Sequence, residues 1–238
     1  MRRHAEDGGT TVVEVGQLRQ GWRLGGVVFV TCFVGSLVAG AALARVSLYL
    51  PGASPSELRE YYTDSRASVL VASALQLVAA VGLARFGAGL AARISPAHRR
   101  ACRVGYGLAA ASLAVSALLS VLMVILGADA DDSIVRVFGR LILSTGGALH
   151  LAGLALLIWS VSRGAAGAGL GPRLPWRAGL VIAPLLAVSL GSIVLVPLTR
   201  LEPLWRLLAA VWICWVCAGG LIGAARPDQP ATPPPAST

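Results

Sequence analysis

The sequence predicts an all-α fold, a polytopic membrane protein built as a six-transmembrane-helix bundle with both termini inside (N-in/C-in). Three observations carry that expectation. First, 56% of the 238 residues are hydrophobic and 13% are charged, against about 45–50% and about 25% in soluble domains. Second, the excess falls into six runs of roughly twenty residues, the length that carries a helix across about 30 Å of hydrocarbon. A helix satisfies its own backbone amides, which lipid requires. Third, the basic residues are unevenly shared between the segments that join the runs.

The segment 93–103, R-I-S-P-A-H-R-R-A-C-R, fixes the threading. Arginine is costly to move across a bilayer, so this basic stretch between two apolar runs is expected to stay cytoplasmic. The other segments then alternate. Residues 1–26 form a cytoplasmic N-terminal segment, too long and too mixed for the charged region of a signal peptide. Within it, 11–24 reads equally as a short helix along the inner membrane surface or as a disordered tail. The spans follow at about 27–50, 67–92, 104–127, 141–161, 178–198 and 204–225. Residues 226–238, rich in Pro, Ala and Thr, are expected to be a disordered cytoplasmic tail. With this threading the inner side holds thirteen arginines and four acids, and the outer side seven of each. The whole formal charge of +9 is therefore inside, as the distribution of positive charge in membrane proteins requires. All twenty basic residues are Arg, a preference that matches the codon bias of a GC-rich genome.

The joining segments carry local signals. Ser54-Pro55-Ser56-Glu57 has the form of a capping box with proline at the first helical position. It predicts a helix that starts near Pro55 outside the bilayer and runs into the second span, with Leu58, Tyr61 and Tyr62 at headgroup level. Asp132, Arg136 and Arg140 follow at i, i+4, i+8 and form one charged ridge, opposed by Ile134, Val135, Phe138 and Leu141. Pro184 and Pro197 are expected to kink or end the fifth helix. An acidic outer segment precedes each even-numbered span, so the chain reads as three related hairpins.

Few residues offer chemistry. His150 is the one histidine inside a span, and ionisable groups at that depth are candidates for ligand binding or proton carriage. Gly146 and Gly153 share its helix face, which turns His150 towards the bundle; the alternative role is a neutral imidazole bonded to a neighbouring helix. Gln76 sits at similar depth in the second span and is the second ligand-binding candidate. Ser112, Ser116 and Ser120 recur every four residues of the third span, spaced for close packing with each hydroxyl bonded back to its own helix. Cys214 and Cys217 form a C-x-x-C pattern inside an apolar span, where neither solvent access nor a stabilised thiolate is expected. No cysteine falls in an outer segment, so no external disulfide is expected. His and Cys are too few at any one depth for a metal site. The 164–171 stretch is Gly-rich but lacks the Lys-Ser/Thr of a phosphate-binding loop. Arg45 can snorkel or pair with Glu57 or Glu60. No cofactor and no nucleic-acid partner is expected. Arg93, Arg99, Arg100 and Arg103 are candidate contacts for anionic lipid at the cytoplasmic face.

The segments S-P-S-E-L-R-E-Y-Y, R-I-S-P-A-H-R-R and P-R-L-P-W-R-A-G-L, with the spacing of the six runs, make the chain resemble the uncharacterised six-helix integral membrane proteins of actinobacteria. The resemblance covers nearly the whole chain and implies a multi-pass membrane protein to which no catalytic residues carry over. Two function classes follow. One is a structural or regulatory membrane protein, acting with a membrane-protein partner or as a homo-oligomer. The other is a small permease or the membrane subunit of an ATP-driven exporter, with 11–24 as an amphipathic coupling segment. An enzyme is not expected, because no paired carboxylates and no nucleophile–base set share a depth.

Overall fold

The computed structural model describes residues 10–46, 52–168, 173–193, 195, 198 and 201–223. The described residues are helical, without strands. In chain order they form α1 (Thr10–Leu43), α2 (Pro55–Asp64), α3 (Arg66–Ala91), α4 (Pro96–Leu126), α5 (Asp132–Leu143), a π-helical turn (Ser144–Leu149), α6 (His150–Ala168), α7 (Arg173–Ala187), a 3-10 turn (Val188–Ile193) and α8 (Glu202–Gly223). Among the described residues, six stretches are long and apolar enough to cross a membrane: Gly21–Leu43, Arg66–Ala91, Pro96–Leu126, Asp132–Ala165, Arg173–Ser192 and Glu202–Gly219.

Each apolar helix lies beside its sequence neighbour. α1 packs along α3, α3 along α4, α4 along α6 and α6 along α7, while α8 touches both α7 and α1 and closes the ring. Glycines set the closest approaches, as expected where helices meet without a hydrophobic driving force. A Cβ on Gly25 would lie 2.8 Å from the Gly82 carbonyl, and one on Gly82 would lie 2.8 Å from the Gly25 carbonyl. The core between the helices holds Phe29, Phe86, Leu83, Leu113, Leu154 and Trp212. The Trp212 indole donates to the Pro175 carbonyl at 2.9 Å, joining α8 to the start of α7. The outward faces are apolar: Val81, Val181 and Val211 are each more than 60% exposed. That surface suits hydrocarbon and not water.

Several element boundaries differ from the sequence expectation. The basic stretch is mostly helix, since α4 begins at Pro96 and carries Arg99, Arg100 and Arg103 within its first turns. The cause is Ser95-Pro96, a residue of N-cap type followed by proline at the first helical position. α1 begins at Thr10, so 11–24 continues the first apolar helix instead of lying apart from it, and α1 stops at Leu43, short of residue 50. The fourth apolar stretch extends back to Asp132. The fifth helix passes Pro184 and tightens into the 3-10 turn four residues later; Pro197 and the tail 226–238 lie outside the described residues.

The capping box at Ser54 forms as expected. The Glu57 amide donates to Ser54 Oγ at 3.3 Å, and the Ser54 amide donates to Glu57 Oε2 at 2.7 Å. The Ser54 amide and hydroxyl together hold the Glu57 carboxyl below its usual pKa. The helix it starts does not run into the next span. It breaks at Ser65, whose Oγ accepts from the Arg45 and Val46 amides at 3.1 and 3.2 Å, just beyond the end of α1. Ser68 Oγ donates to the Gly40 carbonyl at 2.6 Å beside it. α2 then lies over the end of the bundle, where Leu58, Tyr61 and Tyr62 join Val69, Met123, Val135 and Ile142 in a second small core. Burial pushes the Tyr61 phenol pKa up.

Candidate functional site

A cavity of about 650 Å³ opens towards the α2 end of the bundle. α1 contributes Ser36, Leu37 and Gly40, and α3 contributes Ala72, Ser73 and Gln76. The far wall is Leu113, Ser116 and Ser120 of α4 with Ile142, Leu143 and Gly146. Tyr61 and Tyr62 reach it from α2, Arg45 from beyond the end of α1, and Arg206 from α8. Its volume falls in the range that holds one drug-sized molecule, about 300–1,000 Å³. Among the lining residues there is no acid, histidine or cysteine. The groups assembled here can donate hydrogen bonds and attract an anion.

Arg206 is the group with the most unusual setting. It lies one turn into α8, about 6 Å along the axis from Glu202 at the start of that helix. Its Nη2 donates to Glu202 Oε2 at 3.3 Å and to the Gly146 carbonyl at 2.9 Å. Glu202 Oε1 accepts from Ser192 Oγ at 3.0 Å. The Arg206 Nε is buried without a hydrogen-bond partner. The side chain retains 20% exposure and contributes to the cavity lining.

The π-helical turn makes room for this pair. It contains adjacent glycines, Gly146 and Gly147, which hold a regular helix weakly. The Thr145 hydroxyl bonds back to the Leu141 carbonyl at 2.7 Å and competes with the regular ladder. The turn leaves the Gly146 carbonyl available to Arg206, and the Glu202 carboxylate rests where a side chain on Gly147 would stand, 2.6 Å from an ideal Cβ. Such π-helical turns occur frequently at functional sites.

The structure separates the two mid-helix candidates. Gln76 lines the cavity. His150 does not: it is fully buried, its ring is stacked on Phe33 at 5.7 Å and tilted against Phe29 at 6.2 Å, and its Nδ1 lies 2.8 Å from the Ala109 carbonyl. With Nδ1–H donating to that carbonyl, Nε2 is left buried and without a partner. The serine stripe divides three ways. Ser120 bonds back to Ser116 at 2.9 Å, Ser116 reaches across to the Ile142 carbonyl at 3.0 Å, and Ser112 is buried.

The arginines named for lipid contact lie around the opposite end of the bundle. Arg100 and Arg103 are exposed. Arg99 Nε donates to the Ile94 carbonyl at 3.2 Å. Arg93 donates to the Gly89 carbonyl at 2.7 Å and lies over the Trp22 ring at 5.3 Å. Asp132 of the predicted ridge pairs with Arg59 of α2 at 2.7 Å, while Arg136 and Arg140 line a smaller cavity of about 350 Å³ under Pro55. The four cysteines are free; Cys214 is exposed on its helix and the Cys217 thiol lies 3.7 Å from the Arg23 carbonyl.

Sequence reading missed Arg206 and Glu202, which it counted among outer-segment charges. The signal was present in the i, i+4 spacing of Glu202 and Arg206 at the head of an apolar run. The chain matches no protein-family model, no curated protein and no solved structure.

Proposed function

We propose that this chain is a multi-pass protein of the cytoplasmic membrane, with both termini in the cytoplasm, that holds a small amphiphilic molecule in the cavity between α1, α3, α4 and the π-helical turn. It acts as a small permease or as the membrane subunit of an exporter, not as an enzyme. The observation that carries the reading is the cavity itself: about 650 Å³, lined by Arg206, Gln76 and four serines, among helices whose outer faces are apolar. A purely structural bundle gains nothing from leaving such a space, because voids forfeit packing contacts, and polar groups at this depth are costly. The surplus of arginine at the Arg93–Arg103 end supports the orientation, and the exposed Arg100 and Arg103 suit anionic headgroups there.

Filling the cavity tests this reading. Ser120 is half-buried and its hydroxyl bonds only to its own helix, so Ser120→Phe places a ring in the space without breaking a contact between helices. The variant is expected to reach the membrane at wild-type abundance and to unfold at a similar temperature. It is also expected to leave cells with the phenotype of the gene deletion, read as the profile of amphiphiles retained and released. Full restoration of the wild-type profile by Ser120→Phe would return the protein to the structural or regulatory class. Copurification with an ATPase separates an exporter subunit from a stand-alone permease.

A further inference from the structure

We infer that the cavity selects a single-chain amphiphile with an anionic headgroup, anchored by Arg206. This rests on the cavity being the ligand site, and adds the class of ligand.

Three features point to it. The first is charge. Two cations, Arg45 and Arg206, line the cavity, and among the described residues the one acid paired to either is Glu202, bonded to Arg206. Among the described residues the Arg45 guanidinium makes no ion pair. Arg206 is paired, and Arg45 is exposed just beyond the end of α1, so the two cations favour an anion over a cation at the cavity. The second is unused hydrogen bonding. A guanidinium carries five N–H donors in a planar fork, yet Arg206 spends only Nη2 on the protein, on a carbonyl and on a carboxylate at the long distance of 3.3 Å. Its Nε is buried and unpartnered. A carboxylate or phosphate oxygen is the acceptor whose geometry matches that fork. The third is the rest of the wall. Leu37, Val69, Leu113, Ile142 and Leu143 offer nothing polar to a ligand, and their surface suits an acyl chain. Gln76, Ser116 and Ser120 supply hydroxyl and amide groups for the polar end. The volume accommodates one chain and its headgroup, while a free anion would leave most of the apolar wall bare.

Binding of labelled dodecanoate to the full chain in phosphatidylcholine nanodiscs tests this, with empty discs as background. Saturable binding is expected for the wild-type chain. Dodecyltrimethylammonium, with the same tail and the opposite charge, is expected not to compete, and neither is inorganic phosphate. Arg206→Lys keeps the charge but loses the fork, and is expected to weaken binding about tenfold, as loss of a charge-assisted hydrogen bond implies. Arg206→Gln combined with Glu202→Gln removes both charges without stranding either, and is expected to abolish preference for dodecanoate over its cationic analogue. Equal competition by the cationic amphiphile, or unchanged preference in the double variant, overturns the headgroup assignment while leaving the cavity as the site. Displacement by inorganic phosphate with no dependence on chain length overturns the amphiphile in favour of a free anion. Dodecanoate binding that survives Ser120→Phe unchanged contradicts the cavity reading itself.

Discussion

At the scale of single residues, the contrast between His150 and Gln76 is the informative one. Both lie near the middle of an apolar helix, so hydropathy alone ranks them equally. Their surroundings do not. His150 is enclosed by Phe29, Phe33 and the Ala109 backbone, with one ring nitrogen bonded and the other bare. Replacing it by leucine removes one buried hydrogen bond, worth about 0.5–1.5 kcal/mol net, and also removes a buried unpaired nitrogen, so the two effects offset. His150→Leu is therefore expected to keep dodecanoate binding at the wild-type level with little change in thermal midpoint, whereas Gln76→Leu, at the cavity wall, weakens binding several-fold at unchanged abundance. Loss of binding in a folded His150→Leu protein would move the site away from the cavity. The sequence indicated that His150 faces the bundle, because Gly146 and Gly153 share its face. It gave no means of telling a bundle-facing residue that lines a space from one that is packed solid, since that depends on side chains from α1 and α4, which lie far away in sequence.

At the scale of elements, the π-helical turn Ser144–Leu149 is where the fourth apolar stretch gives up regularity, and the Glu202–Arg206 pair fits the room it leaves. Gly147→Ala tests that fit. The new Cβ would stand 2.6 and 2.9 Å from the two carboxylate oxygens of Glu202, so the carboxylate must shift from Ser192 and Arg206. Overpacking of this kind costs about 1–3 kcal/mol, measured as a fall in thermal midpoint in a neutral detergent. In a Glu202→Ala background the space is vacated and the same glycine substitution is expected to cost little, so the two changes couple. Equal cost in both backgrounds would mean that the turn and the ion pair are independent. Element starts were legible where they obey local rules. The Ser54–Glu57 capping box was readable because its partners lie three residues apart, and the Ser95-Pro96 start carries a similar signature that the run of arginines beside it masked. The break at Ser65 was not readable, because its hydroxyl serves the Arg45 and Val46 amides, about twenty residues away. The π-helical turn left only a glycine pair as its trace.

At the scale of the whole molecule, the amino-acid pattern and the structure agree on six apolar helices, and the structure adds their order around the ring. Period and length reveal that a helix is apolar, but which helices touch is decided by contacts such as Gly25 against Gly82 that no local pattern announces. The outer faces of that ring are rich in exposed Val, Leu and Ile, so its solvent is expected to be hydrocarbon. The placement of the cavity near one face of a membrane, and of the Arg93–Arg103 arginines near the other, depends on the six helices crossing it in alternation. Reporter fusions made after Gly52, Ser95, Asp131 and Arg173, with one at the C-terminus, measure this directly. Exterior, interior, exterior, interior and interior signals are expected in that order. Two consecutive joining segments reporting from the same side would contradict it.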